Sequence, residues 1–337
     1  MTKQEIQNIF NGFTSIKALV IGDVMIDSYL WGKVERISPE APVPIVSVNK
    51  RENRLGGAAN VALNLQSLGA TPILCSVIGE DSKAEIFFEL LQKQTLSNAG
   101  IIKSTDRITT TKFRVIGNHS QLLRVDEEIE TDLNHNETEL LFRKIVHFIE
   151  DENIQVIIFE DYDKGVITPS LIEKVIEIAG KNSIPVTVDP KKKNFRYYHD
   201  SNLFKPNLKE LKDGLKLDFS PENIKDLENA IDEIHLHYNI DNIMVTLSEA
   251  GVYISEKQKN TQTILNRKII PAHVRNISDV SGAGDTVISV ASLCLALNLD
   301  LLTIASISNL AGGLVCEEVG VVPINREKLL NEAIALL

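Results

Sequence analysis

Short apolar runs that break off at an acidic residue recur along this chain, and they restrict its fold more than any other feature. Residues 17–22 (KALVIG) stop at Asp23, residues 156–159 are followed by Glu160 and Asp161, and residues 186–188 end at Asp189. Residues 243–247 form a fourth apolar run, which ends at Ser248 instead of an acid. Runs this short and this apolar suit strands buried on both faces. Helical periodicity separates them, at 57–68, 83–94, 137–150, 169–179 and 221–238. Strands and helices in alternation predict an α/β fold with a mainly parallel sheet covered on both faces.

Two stretches break that rhythm. Residues 29–48 and 109–125 read as extended strands with no helix between partners, and the first holds the stiff link Ile37-Ser-Pro-Glu-Ala-Pro42. They predict a small antiparallel β lid, with strands within 29–50 and 109–126, carried by a single domain over 1–337. No internal repeat, low-complexity tract or linker divides the chain.

Composition narrows the function classes. With 46 acidic against 35 basic residues and a net charge of -11, the chain lacks the basic face that nucleic acid requires. It has no signal-peptide core in 1–13 and no apolar run of membrane-spanning length, so a cytoplasmic protein without a membrane partner is expected. Cys75, Cys294 and Cys316 stand far apart in apolar surroundings and read as buried free thiols. His235 and His237, two apart on a helix, diverge too far to share a metal.

The run Asp279-Val-Ser-Gly-Ala-Gly-Asp285 leads straight into an apolar segment. Two readings fit it. One is a loop whose Asp caps a helix. The other is an anion cradle: a helix start offers unpaired N–H groups and the positive end of its dipole, glycines admit a phosphate, and Asp285 adds a proton acceptor beside it. Gly56-Gly57-Ala-Ala-Asn60 is a second glycine pair opening a helix. The chain has neither a GxGxxG fingerprint after its first strand nor a GxxxxGK[ST] loop.

Strand-end carboxylates Asp23, Asp161 and Asp189, with Asp27 four residues after the first, form a candidate rim for sugar hydroxyls, since open α/β sheets bind ligands beyond their carboxyl edge. Asn207 and Glu210 suit a capping pair and equally suit Mg²⁺ or its waters. Lys191, Lys164, Arg114 and Arg124 are either surface charges or contacts for a phosphate already on the substrate.

Taken together, these residues resemble the ribokinase-like (PfkB-type) carbohydrate kinases over about residues 15–330. The 279–285 run is similar to that family's Asp-Thr-x-Gly-Ala-Gly-Asp signature, with Val280 in place of Thr, and the Gly56-Gly57 helix start to its N-terminal signature. Within the family, Gly22–Asp27, Arg36–Pro44, Leu123–Asp126, Asp161-Tyr162 with Lys164-Gly165, and Ser248–Gly251 resemble the branch that phosphorylates D-glycero-D-manno-heptose 7-phosphate at O1. Members of that branch are often fused to a nucleotidyltransferase domain, which this sequence lacks, so adenylyl transfer is expected of another protein.

The resemblance implies roles. Asp285 would be the base on the anomeric hydroxyl, and the N–H groups of Gly282, Ala283 and Gly284 the anion hole. Asn207, Lys209 and Glu210 would lie along the ATP phosphates and Mg²⁺, with Glu210 reaching the metal through water. Ser248, Gly251 and Asn309 would line the nucleotide pocket, and Asp23, Asp27, Gly57 and Asn60 would hold the sugar. Some relatives keep a monovalent cation near the Gly282 loop. Lid strands in this family often pair across a homodimer. The alternatives are a kinase of another sugar or a nucleoside on this fold, and a non-catalytic sugar- or nucleotide-binding regulator.

Overall fold

The computed structural model describes residues 1–118, 120–220, 223–258, 261 and 263–337. In chain order the first elements are α1 (Lys3–Phe13), β1 (Lys17–Gly22), β2 (Val24–Ile37), β3 (Pro44–Gly57), α2 (Ala58–Ser67), β4 (Thr71–Gly79), α3 (Ser82–Lys93) and β5 (Ile101–Ser104). There follow β6 (Thr111–Gly117), β7 (Ser120–Glu127), α4 (His135–Asp151), β8 (Val156–Glu160), α5 (Pro169–Lys181), β9 (Val186–Asp189), β10 (Leu203–Phe204) and α6 (Leu208–Leu215). The chain closes with α7 (Ile224–Tyr238), β11 (Asn242–Thr246), β12 (Val252–Lys257), β13 (Ile264–Ile270), α8 (Ala283–Ala296), α9 (Leu301–Val315) and α10 (Arg326–Leu336). The start expected for the helix at Pro221 lies outside the described residues.

The acid-terminated runs are the middle of one sheet, ordered β13-β12-β11-β10-β9-β8-β1-β4-β5. Pairing is parallel from β5 through β11, and β12 and β13 add an antiparallel edge. Because successive side chains alternate, each strand feeds two cores. Val20, Ile158, Leu203 and Met244 pack with α2, α8 and α9 on one face, while Ile21, Phe159, Val188 and Val245 pack with α4, α5 and α7 on the other. Helices α8 and α9 are buried along most of their length, which their nearly unbroken apolar sequence allows.

The lid is a four-stranded sheet, β3-β2-β6-β7. It is larger than the sequence suggested: β2 and β3 are continuous from 24 to 57 apart from their connecting turn. It comprises two antiparallel hairpins joined by a parallel pairing of β2 with β6. The strands pass without interruption from the body into the lid, so Asp27 and Gly57 stand at the junction of the two.

Asn64 on α2 closes this junction from the core side. Its Nδ2 donates to Asn60 O (2.9 Å), and its Oδ1 accepts from the Ile324 N–H (2.9 Å) and from Thr286 Oγ1 (3.1 Å), all buried. Replacing Asn64 by Leu conserves volume but orphans the buried Ile324 N–H, worth about 1–3 kcal/mol, while the Thr286 hydroxyl keeps Gly282 O at 3.0 Å. Asn64→Leu is expected to lower unfolding free energy by about 2 kcal/mol in urea titrations; a change below about 1 kcal/mol contradicts the assignment.

Candidate active site

Helices α2 and α8 both begin at the carboxyl edge of the sheet, and their first turns meet there. Asp285, in the first turn of α8, is buried, and its carboxylate is held from two other elements. Asn60 Nδ2 donates to Oδ2 (2.6 Å), and the Tyr162 hydroxyl, from the loop after β8, donates to Oδ1 (2.7 Å). Burial pushes the Asp285 carboxyl above its ordinary value, while the Asn60 and Tyr162 hydrogen bonds pull it back. Burial and the neighbouring Asp285 charge push the Tyr162 phenol up, which keeps it a donor.

The loop before α8 is fixed by Asp279. Its Oδ1 accepts from Ser281 N (3.0 Å) and Ser281 Oγ (2.8 Å), and its Oδ2 from Gly320 N (2.9 Å). Of the three residues expected to offer N–H groups, Ala283 donates to Val280 O at 3.3 Å. Among the described residues the N–H groups of Gly282 and Gly284 have no protein partner, so the helix end keeps open donors beside Asp285.

The glycine pair of the second motif is a steric necessity. A Cβ on Gly56 would meet Asp27 Oδ2 at 2.2 Å, and Gly57, at φ +59°, would meet Asp23 O at 2.4 Å. Asp27 is buried and paired with Arg114, whose guanidinium also lies over the Tyr29 ring at 5.4 Å. Asp27 with Arg114, Gly57, and Asn60 with Asp285 thus converge where lid meets body, the place a sugar hollow would occupy.

Several expected sugar contacts have other partners. Asp23 accepts from the backbone N–H groups of Tyr162 (2.9 Å), Lys164 (3.1 Å) and Val166 (3.0 Å), so its carboxylate braces the loop that carries Tyr162. Burial, with Asp161 beside it, pushes Asp23 up to about 6. Asp161 faces the opposite core, accepting from Tyr198 Oη (2.7 Å) and Asn194 Nδ2 (3.0 Å). Lys164 Nζ is held by Glu128 and Glu130, each at 2.8 Å. Arg124 is exposed on the outermost lid strand and pairs with Asp126 at 3.1 Å. The structure therefore does not gather Asp161, Lys164 and Arg124 with the hollow.

On the α8 side of the sheet edge, Glu160, Asp189 and Lys205 stand side by side at the ends of β8, β9 and β10, because they alternate in phase with Ile158, Thr187 and Leu203. Lys205 is buried and pairs with Asp189 Oδ2 at 2.8 Å. Lys191 pairs with Glu210, lies 3.8 Å from Asp189 Oδ1 and sits over the Tyr162 ring. Burial works against the Lys191 ammonium, but Asp189, Glu210 and Glu160 raise it further, so it stays charged. Among the described residues Glu160 has no hydrogen-bond partner on either oxygen, and burial, then Asp189 and Asp285, pushes it well above the usual carboxylate range. Tyr162, Glu160 and Lys205 were not singled out as site residues. The available signal was strand phase: Glu160, not Asp161, shares the face of Ile158.

Asn207 and Glu210 do form a capping box: Asn207 Oδ1 accepts from Glu210 N, and Glu210 Oε2 from Asn207 N, both at 2.8 Å. Lys209 is exposed on the same turn. Ser248 opens a single 3-10 turn that ends at Gly251, and Asn309 Nδ2 donates to Pro271 O (2.9 Å) nearby.

The family described as pfkB family carbohydrate kinase matches residues 15–328. A curated relative from Aliarcobacter butzleri, the bifunctional protein HldE, is 40% identical over 305 residues, covering 90% of this chain and 61% of that protein. The HldE protein of Helicobacter pylori strain HPAG1 is 38% identical over 306 residues, covering 90% of this chain and 63% of its own length. The chain thus spans less than two thirds of these relatives. Among solved structures, Escherichia coli phosphofructokinase-2 in complex with potassium superposes with a TM-score of 0.78 at 18% identity, covering 95% of this chain and 98% of the other. Arabidopsis thaliana ribokinase complexed with ribose and ATP gives 0.68 at 16% identity, covering 94% and 98%. These two likenesses show the ribokinase-like fold.

The buried pair yields a stability test. Lys205→Met leaves the Asp189 carboxylate without its nearest cation and is expected to cost about 3 kcal/mol in urea unfolding. Adding Asp189→Asn, which removes the stranded charge, should recover most of that loss. A single variant as stable as the parent, or a double variant with fully additive losses, contradicts the pairing.

Proposed function

Belonging as it does to the pfkB family of carbohydrate kinases, the chain is a sugar kinase, and we propose that it phosphorylates O1 of D-glycero-D-manno-heptose 7-phosphate, giving the 1,7-bisphosphate. The observation that carries the chemistry is the Asp285 carboxylate, buried beside open helix-end N–H groups and oriented by Asn60 and Tyr162. The acceptor rests on the similarity to HldE proteins and on the Arg36–Pro44 lid segment. It places the product among the precursors of ADP-heptose and the lipopolysaccharide core.

In this reading Asp285 takes the proton from the anomeric hydroxyl as O1 attacks the γ-phosphorus of ATP. The O1–P bond forms, the bond to the bridging β,γ oxygen breaks, and ADP leaves. The N–H groups of Gly282 and Gly284, with that of Ala283 as its 3.3 Å bond yields, receive the charge on the equatorial oxygens. Asp27, Gly57 and Asn60 seat the sugar ring, and Arg114, with guanidinium N–H groups beyond its bond to Asp27, reaches for the 7-phosphate. Asp23 positions the Tyr162 loop. Ser248, Gly251 and Asn309 border the adenosine end.

Magnesium fits the residues at the phosphate end: Glu210 is a carboxylate at a helix start beside Lys191, and Asp189 keeps a buried oxygen with no hydrogen-bond donor. Two carboxylates suit a Mg²⁺ that retains waters and the ATP phosphates as ligands. When bound, it would offset charge on the triphosphate. Lys191 and Lys209 would add to that at the same end.

The lid also supports the homodimer expected of the family. Leu123 and Val125, register partners of Val115 and Phe113 on the face away from the hollow, are 56% and 45% exposed. An apolar face of this kind favours burial against a second lid. The buried free cysteines favour a reducing, cytoplasmic setting.

With ATP, Mg²⁺ and the heptose 7-phosphate, phosphorus NMR should reveal a new anomeric phosphate ester. Turnover of another sugar instead would overturn the acceptor while leaving the kinase class. Asp285→Asn should cut kcat by on the order of 10³ and largely preserve ATP binding; an active variant removes the proposed base. Tyr162→Phe deletes a donor that favours the charged carboxylate, so the Asp285 pKa rises. The acid limb of kcat/KM should then move to higher pH. An unmoved limb contradicts the hydrogen bond's role.

A further inference from the structure

Arg54 stands on β3 at the sugar side of the lid, directly opposite Asp27 in the strand register and 5.1 Å over the Tyr29 ring. Its side chain does not end there. Nη1 donates to Val321 O (3.1 Å) and Val319 O (3.3 Å), two carbonyls of the segment after α9, while Nε donates to Glu52 at 2.7 Å. Between those carbonyls is Gly320, whose N–H donates to Asp279 Oδ2 at 2.9 Å. Asp279 in turn fixes Ser281 through N–H and hydroxyl, one residue before Gly282. One short chain of hydrogen bonds therefore runs from the lid strand to the loop that opens α8.

Each link restricts its neighbour. Gly320 has φ +75°, and a Cβ there would meet Arg54 Nη1 at 2.8 Å and Tyr29 Oη at 3.2 Å, so the guanidinium is seated directly against this glycine. Only a planar head with several donors can hold two diverging carbonyls and a carboxylate together. Glu52 has a second cation, Lys50, at 2.7 Å, so removing the Arg54 guanidinium does not leave that carboxylate unpaired.

We propose that Arg54 is a positioning residue that ties the sugar-side lid strand to the phosphate-side loop, holding Gly282 to Gly284 in the arrangement that receives the ATP phosphates. This rests on the reading of that loop as the phosphate cradle. It gives the lid a mechanical connection to the cradle that needs no contact between Arg54 and either substrate. A lid displaced by an empty sugar hollow loosens the carbonyl grip, and the loop loses its brace at Gly320.

The test uses the whole chain and needs no sugar. A non-hydrolysable ATP analogue with Mg²⁺ is titrated calorimetrically into the parent and Arg54→Met, and amide hydrogen exchange is followed over 279–285. The variant should bind the analogue about tenfold more weakly. Its 279–285 amides should exchange faster, with α4 and α5 unchanged. Gly320→Ala attacks the same contact from the other side and should give a similar loss, and the double variant should bind no more weakly than the worse single one. Unchanged affinity with unchanged exchange in Arg54→Met, or additive losses in the double variant, overturns the proposal. Faster exchange with unchanged affinity overturns the phosphate-cradle reading beneath it.

Discussion

Everything at the sheet edge depends on where one carboxylate is buried. Asp285 sits in the first turn of a helix that is apolar nearly all round, so the helix must lie in the core, and the carboxylate goes with it. A buried charge needs partners. Asn60 from α2 and Tyr162 from the loop after β8 supply them, and their own positions then become fixed: Asn60 through the Gly56-Gly57 turn and Asn64, Tyr162 through the three N–H groups that Asp23 collects. Three elements far apart in sequence are thereby registered at one point.

The surrounding charges follow the same economy. Around Asp285 stand Asp189 and Glu160, with Glu210 beyond Lys191, and Lys191 and Lys205 are the nearby cations among the described residues. Burial without a partner, with Asp189 and Asp285 beside it, pushes the Glu160 carboxyl well above its ordinary range. The remaining carboxylates and ammonium groups pair, which leaves the helix-end N–H groups as the open donors facing the hollow.

Much of this was legible in the residues. Apolar runs ending in acids gave the parallel sheet, because strands covered on both faces have no polar alternation to show. The 29–48 and 109–125 stretches gave a lid, since extended segments without intervening helices had no place in the sheet's rhythm. The cap at Asn207 and Glu210 was readable because its partners are three residues apart. What escaped was long-range pairing. Lys164 looked like a phosphate contact, yet Glu128 and Glu130 claim it from 36 and 34 residues away; Arg124 differs, since its partner Asp126 is two residues on along the same strand, a spacing the strand period makes readable. Tyr162, Lys205 and Arg54 matter through atoms more than 15 residues away. Asp161 was misread by one step of strand phase, which sends its side chain to the other core.

The lid and the body are connected through more than the strands they share: Arg54 holds the Val319 and Val321 carbonyls on either side of Gly320, whose N–H donates to Asp279. The central claim remains that Asp285 and the α8 end act on one transferring phosphoryl group. A crystal structure with a non-hydrolysable ATP analogue, Mg²⁺ and the heptose 7-phosphate tests it most directly. The account predicts the anomeric oxygen within hydrogen-bond distance of the Asp285 carboxylate, with the γ-phosphate on the N–H groups of Gly282 and Gly284. A sugar whose anomeric oxygen points away from Asp285, or a γ-phosphate bound elsewhere, would contradict it.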